Sequence, residues 1–411
     1  MLIYDFIDVF ATSAGKPVFV LTIKFVIFEQ NKLLMKNIIP YLILCSVIAL
    51  AACSTIAPRE EFNVLDYGAC GDGVTDCTEA FNNAILDCSR ANGRILVPEG
   101  RYLCSTIVLK DNVELCLQSG SEIVGDMNPE NYSSFIPAHD LSKYDSGDGT
   151  VNQNNSRDER WNKALILANG VSNVRICGEG VINGRHVFDP LGEEYMRGPH
   201  GIIMGECRNV TIEDITITCA SNYAFMAYAL EDAVFRNIHI TEGWDGIHIR
   251  GGRNILIDAC KLETGDDSIA GGYWENVEIR NCSINSSCNG IRMIMPCDGL
   301  EVHDCNFFGP GNYPHRTSGE KRRTNMLFGL NLQPGGWGKA PGDVRNVYIH
   351  DCTMSGLSSP IGINNSDESH ACDLTLENIS ATGLYGTVSP VVCYNDSGYD
   401  SIKIVNFTVS K

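Results

Sequence analysis

A seven-residue unit, asparagine-led in its clearest copies, recurs along this 411-residue chain at nearly constant spacing. The clearest copies begin at Asn209, Asn254, Asn276 and Asn346, and looser copies begin at Asn173, Ala233, Gly299, Asp373 and Ser401. From Val210 to Leu300, the second residues of successive copies lie 24, 21, 22 and 23 positions apart. Apolar and polar residues alternate within each copy, which is the period of a β-strand. A strand repeat of this length predicts an all-β, right-handed parallel β-helix, because stacked coils satisfy each other's backbone hydrogen bonds.

Cysteines follow the same repeat. Cys260, Cys282, Cys305 and Cys352 each occupy the same place in their unit. Stacked coils would turn these residues into an inward ladder of small apolar side chains. We therefore expect free thiols at these four positions, although disulfides would be permitted in an exported protein. The asparagine or aspartate beside each cysteine is expected to shape a turn rather than to serve a function.

The N-terminal region has the pattern of an export signal. A basic residue, Lys36, follows Met35, and an apolar run covers residues 38–50. This run has the length of a signal-peptide core and is too short for an ordinary membrane span. The sequence Leu50-Ala51-Ala52-Cys53 matches a bacterial lipobox, which predicts that Cys53 is acylated. The protein would then be lipid-anchored outside the cytoplasm, in the periplasm or at the cell surface; an uncleaved apolar anchor is the alternative.

These patterns divide the chain into four segments. We expect an upstream start artefact (residues 1–34), a lipoprotein signal peptide (35–52), a short linker (53–61) and a single β-helix domain (62–411). A capping box at residues 76–79 predicts a helix that covers the open first coil and ends at Gly93. Its apolar face would comprise Ala80, Phe81, Ala84, Ile85 and Cys88. Residues 127–163 and the segment between Phe308 and Asn325 are expected to leave the solenoid as long loops, the first of which could wall a cleft.

Composition narrows the classes of partner. The formal net charge of −19 argues against nucleic acid, which selects basic surfaces. It also disfavours a polyanionic substrate at long range, although a locally basic cleft would reverse this. The hydrophobic fraction of 44% is ordinary for a globular protein with a large core. A monomer without a metal or another cofactor is expected.

Three carboxylates recur at the spacing of one coil. Asp245 and Asp267 lie 22 residues apart, and Asp266 precedes Asp267. The two positions would therefore occupy adjacent rungs, about 4.8 Å apart, with Asn289 and Arg292 on the following rung. Glycosidic cleavage needs a carboxylic acid to protonate the leaving oxygen and a carboxylate to activate water. Crowded like charges should raise the pKa of one group, which suits it to act as the acid. Alternatively, the three aspartates close or cap turns.

The motifs resemble those of the polygalacturonases, glycoside hydrolase family 28. The N-terminal segments Phe62-Asn63-Val64, residues 97–102 and residues 176–184 are similar to this family's first coils. Gly265-Asp266-Asp267 matches its Gly-Asp-Asp motif, whereas only Asp245 remains of its Asn-Thr-Asp motif. By this resemblance, Asp266 is the general acid, and Asp245 with Asp267 hold the water.

Two binding motifs of that family are altered. Asn289 stands where the family has the histidine of its Gly-His-Gly motif. Asn331 and Gln333 stand where the resemblance implies the cations of an Arg-Ile-Lys motif. Arg292 could replace those cations, since by strand parity with Gly290 it could point into the cleft; the alternative is a surface arginine paired with an aspartate.

Aromatic and histidine residues flank the first acid. Trp244 could stack on a sugar, and His248 should share the exposed face of Asp245 by parity. Tyr223 occupies a place where the resemblance implies an aromatic near the cleft, with a packing role as the alternative.

Three functions are compatible with the sequence. The first is an exported glycoside hydrolase that inverts configuration and cleaves pectic, galacturonan-type or related polysaccharide. The second is a β-helix protein that binds glycans without catalysis. The third is a lyase or epimerase on the same scaffold, which would need calcium ligands and a cationic base.

Overall fold

The computed structural model describes residues 59–146, 154–316, 322–365, 369–394 and 399–411, together with two short strands, Thr12–Ser13 and Lys16–Pro17, which pair antiparallel. The predicted signal peptide and Cys53 lie outside these residues. Residues Arg59–Lys411 form one compact unit, and Met1–Pro58 are a separate one. The first strand of the larger unit begins at Glu61, within the segment predicted as a linker.

The larger unit is a right-handed parallel β-helix with three sheets, which we name the repeat sheet, the second sheet and the site sheet. Strands of the repeat sheet alone are Glu61–Asn63, Arg94–Val97, Glu114–Leu117, Ser172–Gly178, Arg208–Glu213, Cys297–His303 and Val344–His350. Those of the second sheet are Asp72–Asp76, Gly100–Cys104, Ser121–Gly125, Val181–Asn183, Thr216–Thr218, His239–Thr241, Lys261–Thr264, Ser283–Ser286, Asn306–Phe308 and Thr353–Ser355. Those of the site sheet are Ile107–Val108, Ala164–Asn169, His200–Gly205, Asn289–Met293, Met326–Leu332, Leu357–Ile363 and Val391–Cys393.

Five longer strands turn the corner between sheets. Phe225–Arg236, Ile247–Asp258 and Ile269–Arg280 run from the site sheet into the repeat sheet. Ala371–Thr382 and Ile402–Val409 run from the repeat sheet into the second sheet. Side chains that point inward from all three sheets form one continuous apolar core.

The predicted helix spans Thr78–Ala91 and buries the five apolar residues expected of it. Its packing includes an edge contact between the Phe81 and Tyr102 rings, with centroids 5.6 Å apart. The predicted capping box is not formed: Cys77 precedes the helix without a side-chain cap, and the Asp76 carboxylate accepts from the Thr78 N–H. Left-handed Asn92 ends the helix one residue before the predicted Gly93.

Short 3₁₀ helices cover Val64–Tyr67, Pro129–Asn131, Ser142–Tyr144 and Glu193–Tyr195. Within the part of the chain that the structure describes, no helix combines the length and apolarity needed to cross a membrane.

The strand register corrects one copy of the repeat. Val210 pairs with Ala233, and Ala233 pairs with Ile255. The looser copy therefore begins at Asp232 rather than at Ala233. The intervals of 24 and 21 residues become 23 and 22, so the coil length is more regular than the sequence pattern suggested.

The cysteine ladder is present as predicted. Cys260, Cys282, Cys305 and Cys352 are buried free thiols. The Cys282 Sγ donates to the Arg280 carbonyl at 3.1 Å, and Cys352 repeats this contact with His350 at 3.1 Å. These thiols pack in the core, and the thiols of Cys282 and Cys352 each donate a hydrogen bond to the carbonyl two residues earlier in the chain.

The asparagines that begin the repeat form a second ladder, at the surface. Asn254 has a left-handed backbone (φ 55°), a conformation that asparagine tolerates better than most residues. Its Nδ2 donates to Asp232 Oδ1, and its Oδ1 accepts from Asn276 Nδ2, both at 2.8 Å. Each rung is thereby joined to the next through side chains at the turn, which agrees with the predicted turn role.

We expect Asn254→Ala to destabilise the fold by about 1–3 kcal/mol. The substitution removes two hydrogen bonds of the asparagine ladder. It also places alanine, which lacks the polar side chain that lets asparagine tolerate this conformation, in a left-handed turn. Asn254→Gly is the matched control: it loses the same bonds but adopts the backbone freely, so its loss should be smaller by about 1 kcal/mol. Denaturant midpoints measure both variants. Equal losses would contradict the conformational part of this argument.

Candidate active site

The three carboxylates lie where the chain turns from the second sheet into the site sheet. Since Ile247 pairs with Ile269, Asp245 and Asp267 hold equivalent positions on adjacent rungs. The Asp267 N–H donates to Asp245 Oδ1 at 3.2 Å, and the Asn289 N–H donates to Asp267 Oδ1 at 3.1 Å. A ladder of backbone donors therefore fixes both carboxylates one coil apart.

Asp245 begins a buried polar chain. Its Oδ2 lies 2.6 Å from His248 Nδ1, and Arg250 Nε donates to His248 Nε2 at 3.0 Å. Because Nε2 accepts from arginine, Nδ1 carries the imidazole proton and donates it to Asp245. The His248 ring stacks on Tyr223, with centroids 4.7 Å apart and planes 6° apart. His248 does share the face of Asp245, but this face is buried rather than exposed as the sequence predicted.

Asp266 lies beside an arginine and a histidine from two loops. Arg197 Nη2 lies 3.6 Å from its Oδ2, and His315 Nε2 lies 3.4 Å from the same oxygen. Arg197 is also paired with Glu193 and Glu194. Its guanidinium lies 5.1 Å from the ring centre of Trp244, whose other neighbour is Arg316 at 4.7 Å. Trp244 thus supports Arg197 from behind and does not line the cavity.

Asp267 is held by the following rungs. Asn289 Nδ2 donates to its Oδ1 at 2.6 Å, and Arg292 Nη1 donates to its Oδ2 at 3.3 Å. Arg292 is itself held by Gln333 Oε1, which accepts from Nη2 at 3.0 Å, and lies 5.5 Å from the ring centre of Trp337. Behind this group, Asn331 Nδ2 donates to Asn289 Oδ1 at 3.4 Å. Among the residues that stand in the altered binding motifs, Asn289 therefore contacts Asp267 directly. Gln333 is linked to Asp267 through Arg292, and Asn331 is linked to it through Asn289.

The surroundings separate the proton affinities of the three acids. Burial, strengthened by the charges of Asp266 and Asp267, raises the pKa of Asp245 well above its ordinary value. Burial and the charge of Asp266 also raise the pKa of Asp267, although Arg292 and the Asn289 hydrogen bond oppose them. Burial acts upward on Asp266 too, but His315, Arg197 and Arg292 outweigh it and bring the pKa of Asp266 below its usual range. Asp266 therefore favours its ionised form and the adjacent Asp267 its protonated form. The reason is that the loops that carry Arg197 and His315 reach only Asp266 of the two.

These groups surround a cavity of about 340 Å³. Its walls carry Asp245, Asp266, Asp267 and the buried Glu193, together with cationic side chains from Arg197, Arg250, Arg292 and Arg323. Tyr223, His248, Asn289, Asn331 and Gln333 also line it. Glu194 also lines the cavity, so among the described residues five carboxyl groups face four arginines and two histidines. The formal charges of the lining nearly balance; the cavity is less acidic than the chain as a whole, but it is not the basic cleft that a polyanionic substrate was expected to need.

His315 and Arg323 were not singled out from the sequence. Both lie on the loop after Asn306–Phe308. Loops have no period, so the repeat could not place them beside a given rung. The only signal was composition: cations cluster in the segment after Phe308, which lies three coils beyond the first acid.

Comparisons with known proteins agree with this architecture. The family model "Rhamnogalacturonase A/epimerase, pectate lyase-like" matches residues 61–292. A polygalacturonase from Gossypium barbadense is 22% identical over 91% of this chain and 89% of its own length.

Two solved structures share the fold. An exopolygalacturonase from Thermotoga maritima has a TM-score of 0.61 at 20% identity, covering 86% of this chain and 93% of its own. The A-module of a mannuronan C-5 epimerase from Azotobacter vinelandii has a TM-score of 0.52 at 14% identity, covering 85% and 96%. The fold thus carries both reactions and does not choose between them. The polygalacturonase relatives support the predicted resemblance to the polygalacturonase group. Because the family match spans more than half of the chain, the protein belongs to the rhamnogalacturonase A/epimerase, pectate lyase-like family.

Proposed function

We propose that this protein is a glycoside hydrolase that cleaves galacturonan-type or related polysaccharide with inversion of configuration. The observation that carries this proposal is the set of three carboxylates on adjacent rungs that line one cavity, with Asp245 and Asp267 buried and the Asp266 side chain 13% exposed. Glycosidic cleavage by acid and base needs one protonated and one ionised carboxyl group in a single site. The polygalacturonase relatives support the same reaction class.

The proposed roles follow the family resemblance. Asp266 protonates the leaving oxygen, while Asp245 and Asp267 hold and activate the attacking water. In the free site the pKa directions are opposite to these roles: nearby cations favour the ionised form of Asp266, whereas burial favours the protonated forms of Asp245 and Asp267. The expectation that crowding raises the pKa of the acid is therefore wrong for Asp266. A proton must leave the pair that activates water and reach Asp266 when substrate binds. His315, which contacts Asp266, is suitably placed to pass that proton. An anionic sugar would also weaken the influence of the cations on Asp266 and so favour its protonated form.

Inversion requires room for water between the acid and the base. One oxygen of Asp266 and one of Asp267 lie within 4.8 Å of each other, which is close for a pair that must admit water. We therefore propose that water approaches from the side of Asp245, with Asp267 completing its hydrogen bonds.

The lyase or epimerase alternative receives less support from this site. Calcium prefers a cage of oxygen ligands. Here the carboxylates of Asp266 and Asp267 already face Arg197 and Arg292, and the nearest sulfur belongs to Cys288. Guanidinium groups at these distances oppose the binding of a divalent cation. Lysine is absent from the described residues that line the cavity, although an arginine could serve as the base.

The function is tested by incubating the mature protein with polygalacturonate and with neutral oligosaccharides. We expect new reducing ends on the uronide without unsaturated sugar ends, and proton NMR of the first product should show the inverted anomer. Unsaturated ends would indicate a lyase, and a retained anomer would indicate a nucleophilic carboxylate. Binding without products would favour the non-catalytic alternative.

Arg292→Gln should raise KM for a uronide by about 10- to 100-fold, since a hydrogen bond to a charged group is worth roughly 1.5–3 kcal/mol. A neutral substrate should show a smaller change in KM, because it lacks the carboxylate. Arg292 also touches Asp267, so turnover should fall for both substrates alike. Arg292→Lys keeps the charge but lacks the planar guanidinium, so its KM for the uronide should lie between those of the wild type and Arg292→Gln. Equal changes in KM for the two substrates would exclude uronate recognition by Arg292.

Export through a lipid anchor is a further proposal, supported by the lipobox around Cys53. In a bacterial host, Cys53→Ser should abolish labelling by a fatty-acid analogue and release the protein from the membrane fraction. Cys45→Ser, within the same apolar run, is the control and should leave labelling unchanged. Labelling that survives in Cys53→Ser would contradict acylation at that residue.

A further inference from the structure

We propose that this site accepts the end of a glycan chain rather than its middle, so that the enzyme is exo-acting. The inference rests on the proposed glycosidase function. An enzyme that cleaves within a chain needs a groove open on both sides of its acids. Here the groove is closed on the side of the earlier coils.

The closed side is a second apolar core. Along the site sheet, Ile202 and Phe225 point into the main core, while their neighbours Ile203 and Met226 belong to a separate buried cluster. Between Ser121–Gly125 and Ala164–Asn169, the described residues 126–146 and 154–163 cover those outward residues with aromatic side chains that are no more than 7% exposed: Phe135, Tyr144 and Trp161. The outer face of the earlier coils, where sugars would otherwise lie, is therefore filled by protein.

This covering loop is attached directly to the rung of the first acid. Arg250, which is fully buried, donates from Nη1 to the carbonyl oxygens of Tyr144 at 3.3 Å and Asn154 at 3.1 Å. The same arginine donates to His248, which donates to Asp245. The Tyr144 ring lies over Gly251, where a Cβ would come within 2.4 Å of it. A sugar chain could not pass this point without displacing a buried arginine and its partners.

A second segment closes the flank. The 3₁₀ helix Glu193–Tyr195 leads into Arg197, which ties Glu193 and Glu194 to Asp266. Glu193 is itself buried, and burial raises its pKa. The flank is therefore built from paired charges with little access to water.

The remaining side is open. Trp337 is 36% exposed and lies beside Arg292, whereas Asp245, His248 and Arg250 are at most 4% exposed. At about 340 Å³, the cavity is near the lower end of the roughly 300–1,000 Å³ found for ligand pockets. It therefore accommodates a chain terminus, with the rest of the chain leaving past Trp337.

The test uses oligogalacturonides that are unmodified, modified at the reducing end, or modified at the non-reducing end. We expect modification of one end to stop cleavage and modification of the other to leave the rate within about twofold. A single small product should appear from the first turnover, and polymer viscosity should fall slowly relative to bond cleavage. Cleavage of both modified substrates with mixed product lengths would overturn the proposal.

Binding separates this inference from the proposed reaction. Calorimetry with Asp266→Asn and the same three oligosaccharides should show that one end modification weakens binding at least tenfold while the other does not. This result holds even if no hydrolysis is found, in which case only the proposed reaction fails. Equal binding of all three oligosaccharides would overturn the chain-end inference.

A matched pair of surface variants tests the direction of the open side. Trp337→Ala should weaken the binding of a long oligosaccharide more than that of a short one. Tyr195→Ala, an exposed aromatic on the closed flank (65% exposed), should change neither. A loss confined to Tyr195→Ala would contradict the assignment.

Discussion

Asp266→Asn is expected to reduce turnover by about 10²- to 10⁴-fold, the usual contribution of a general acid. The amide keeps the shape of the side chain but cannot deliver a proton. The variant should also be less stable at neutral pH, because it removes an anion that Arg197 and His315 stabilise. An exposed residue at the rim of a cleft could be replaced with little loss of stability, but the Asp266 side chain is only 13% exposed, so a loss is expected here.

The pH dependence of this stability loss has a defined sign. The pKa of Asp266 is lower in the folded state than in the unfolded chain. Its contribution to stability is therefore present above the unfolded pKa and is lost as pH falls through the folded pKa. Melting curves of wild type and Asp266→Asn should separate above about pH 4 and converge in strong acid. Full activity in the variant would remove Asp266 from the mechanism.

Asp245→Asn is expected to lose activity by a similar factor but to gain stability. Asp245 is buried beside two other acids, and its pKa is raised. A carboxyl group with a raised folded pKa stabilises the fold below its unfolded pKa, and that contribution is lost as pH rises through the folded pKa. Asparagine never ionises, so the variant avoids this loss. Its single amide oxygen can accept either from His248 or from the Asp267 N–H, which bind different oxygens of the carboxylate, so the lost hydrogen bond offsets part of the gain.

The difference in melting temperature should therefore be small near pH 3 and grow in favour of Asp245→Asn toward neutral pH. Asp266→Asn serves as the matched control, since the same chemical change on the neighbouring rung should shift stability in the opposite direction. If both variants lose stability at neutral pH, the assigned difference in charge preference is wrong.

The repeat predicted most of the scaffold because each coil carries the same local signal. Alternation and spacing identified the strands, the cysteine ladder and the adjacent rungs of Asp245 and Asp267. The sequence pattern placed the start of the weakest copy at Ala233, one residue after its true start at Asp232. The reason is that Ala233 stands where the other copies have a branched apolar residue. Local patterns therefore sufficed for the coils.

The environment of the acids could not be predicted in the same way. Burial of His248 depends on the loop that covers the earlier coils, and the position of His315 depends on how another loop folds back. Trp244 was expected to meet a sugar, but it lies between two arginines that are distant from it in sequence. Such contacts depend on tertiary packing between segments without a period.

The way the strands remain paired across the inserted loops has a consequence for how this scaffold can change. Ile107 stacks on Ile166 across 59 positions of chain, and Ile291 stacks on Leu330 across 39, yet the pairing stays parallel and in register. Loop length is thus uncoupled from the position of the rungs. Shortening or exchanging a side loop would leave the carboxylates where they are while altering how much of the glycan can enter. Exo-acting and endo-acting descendants of one ancestor could then differ in their loops alone, with the same three acids performing the chemistry.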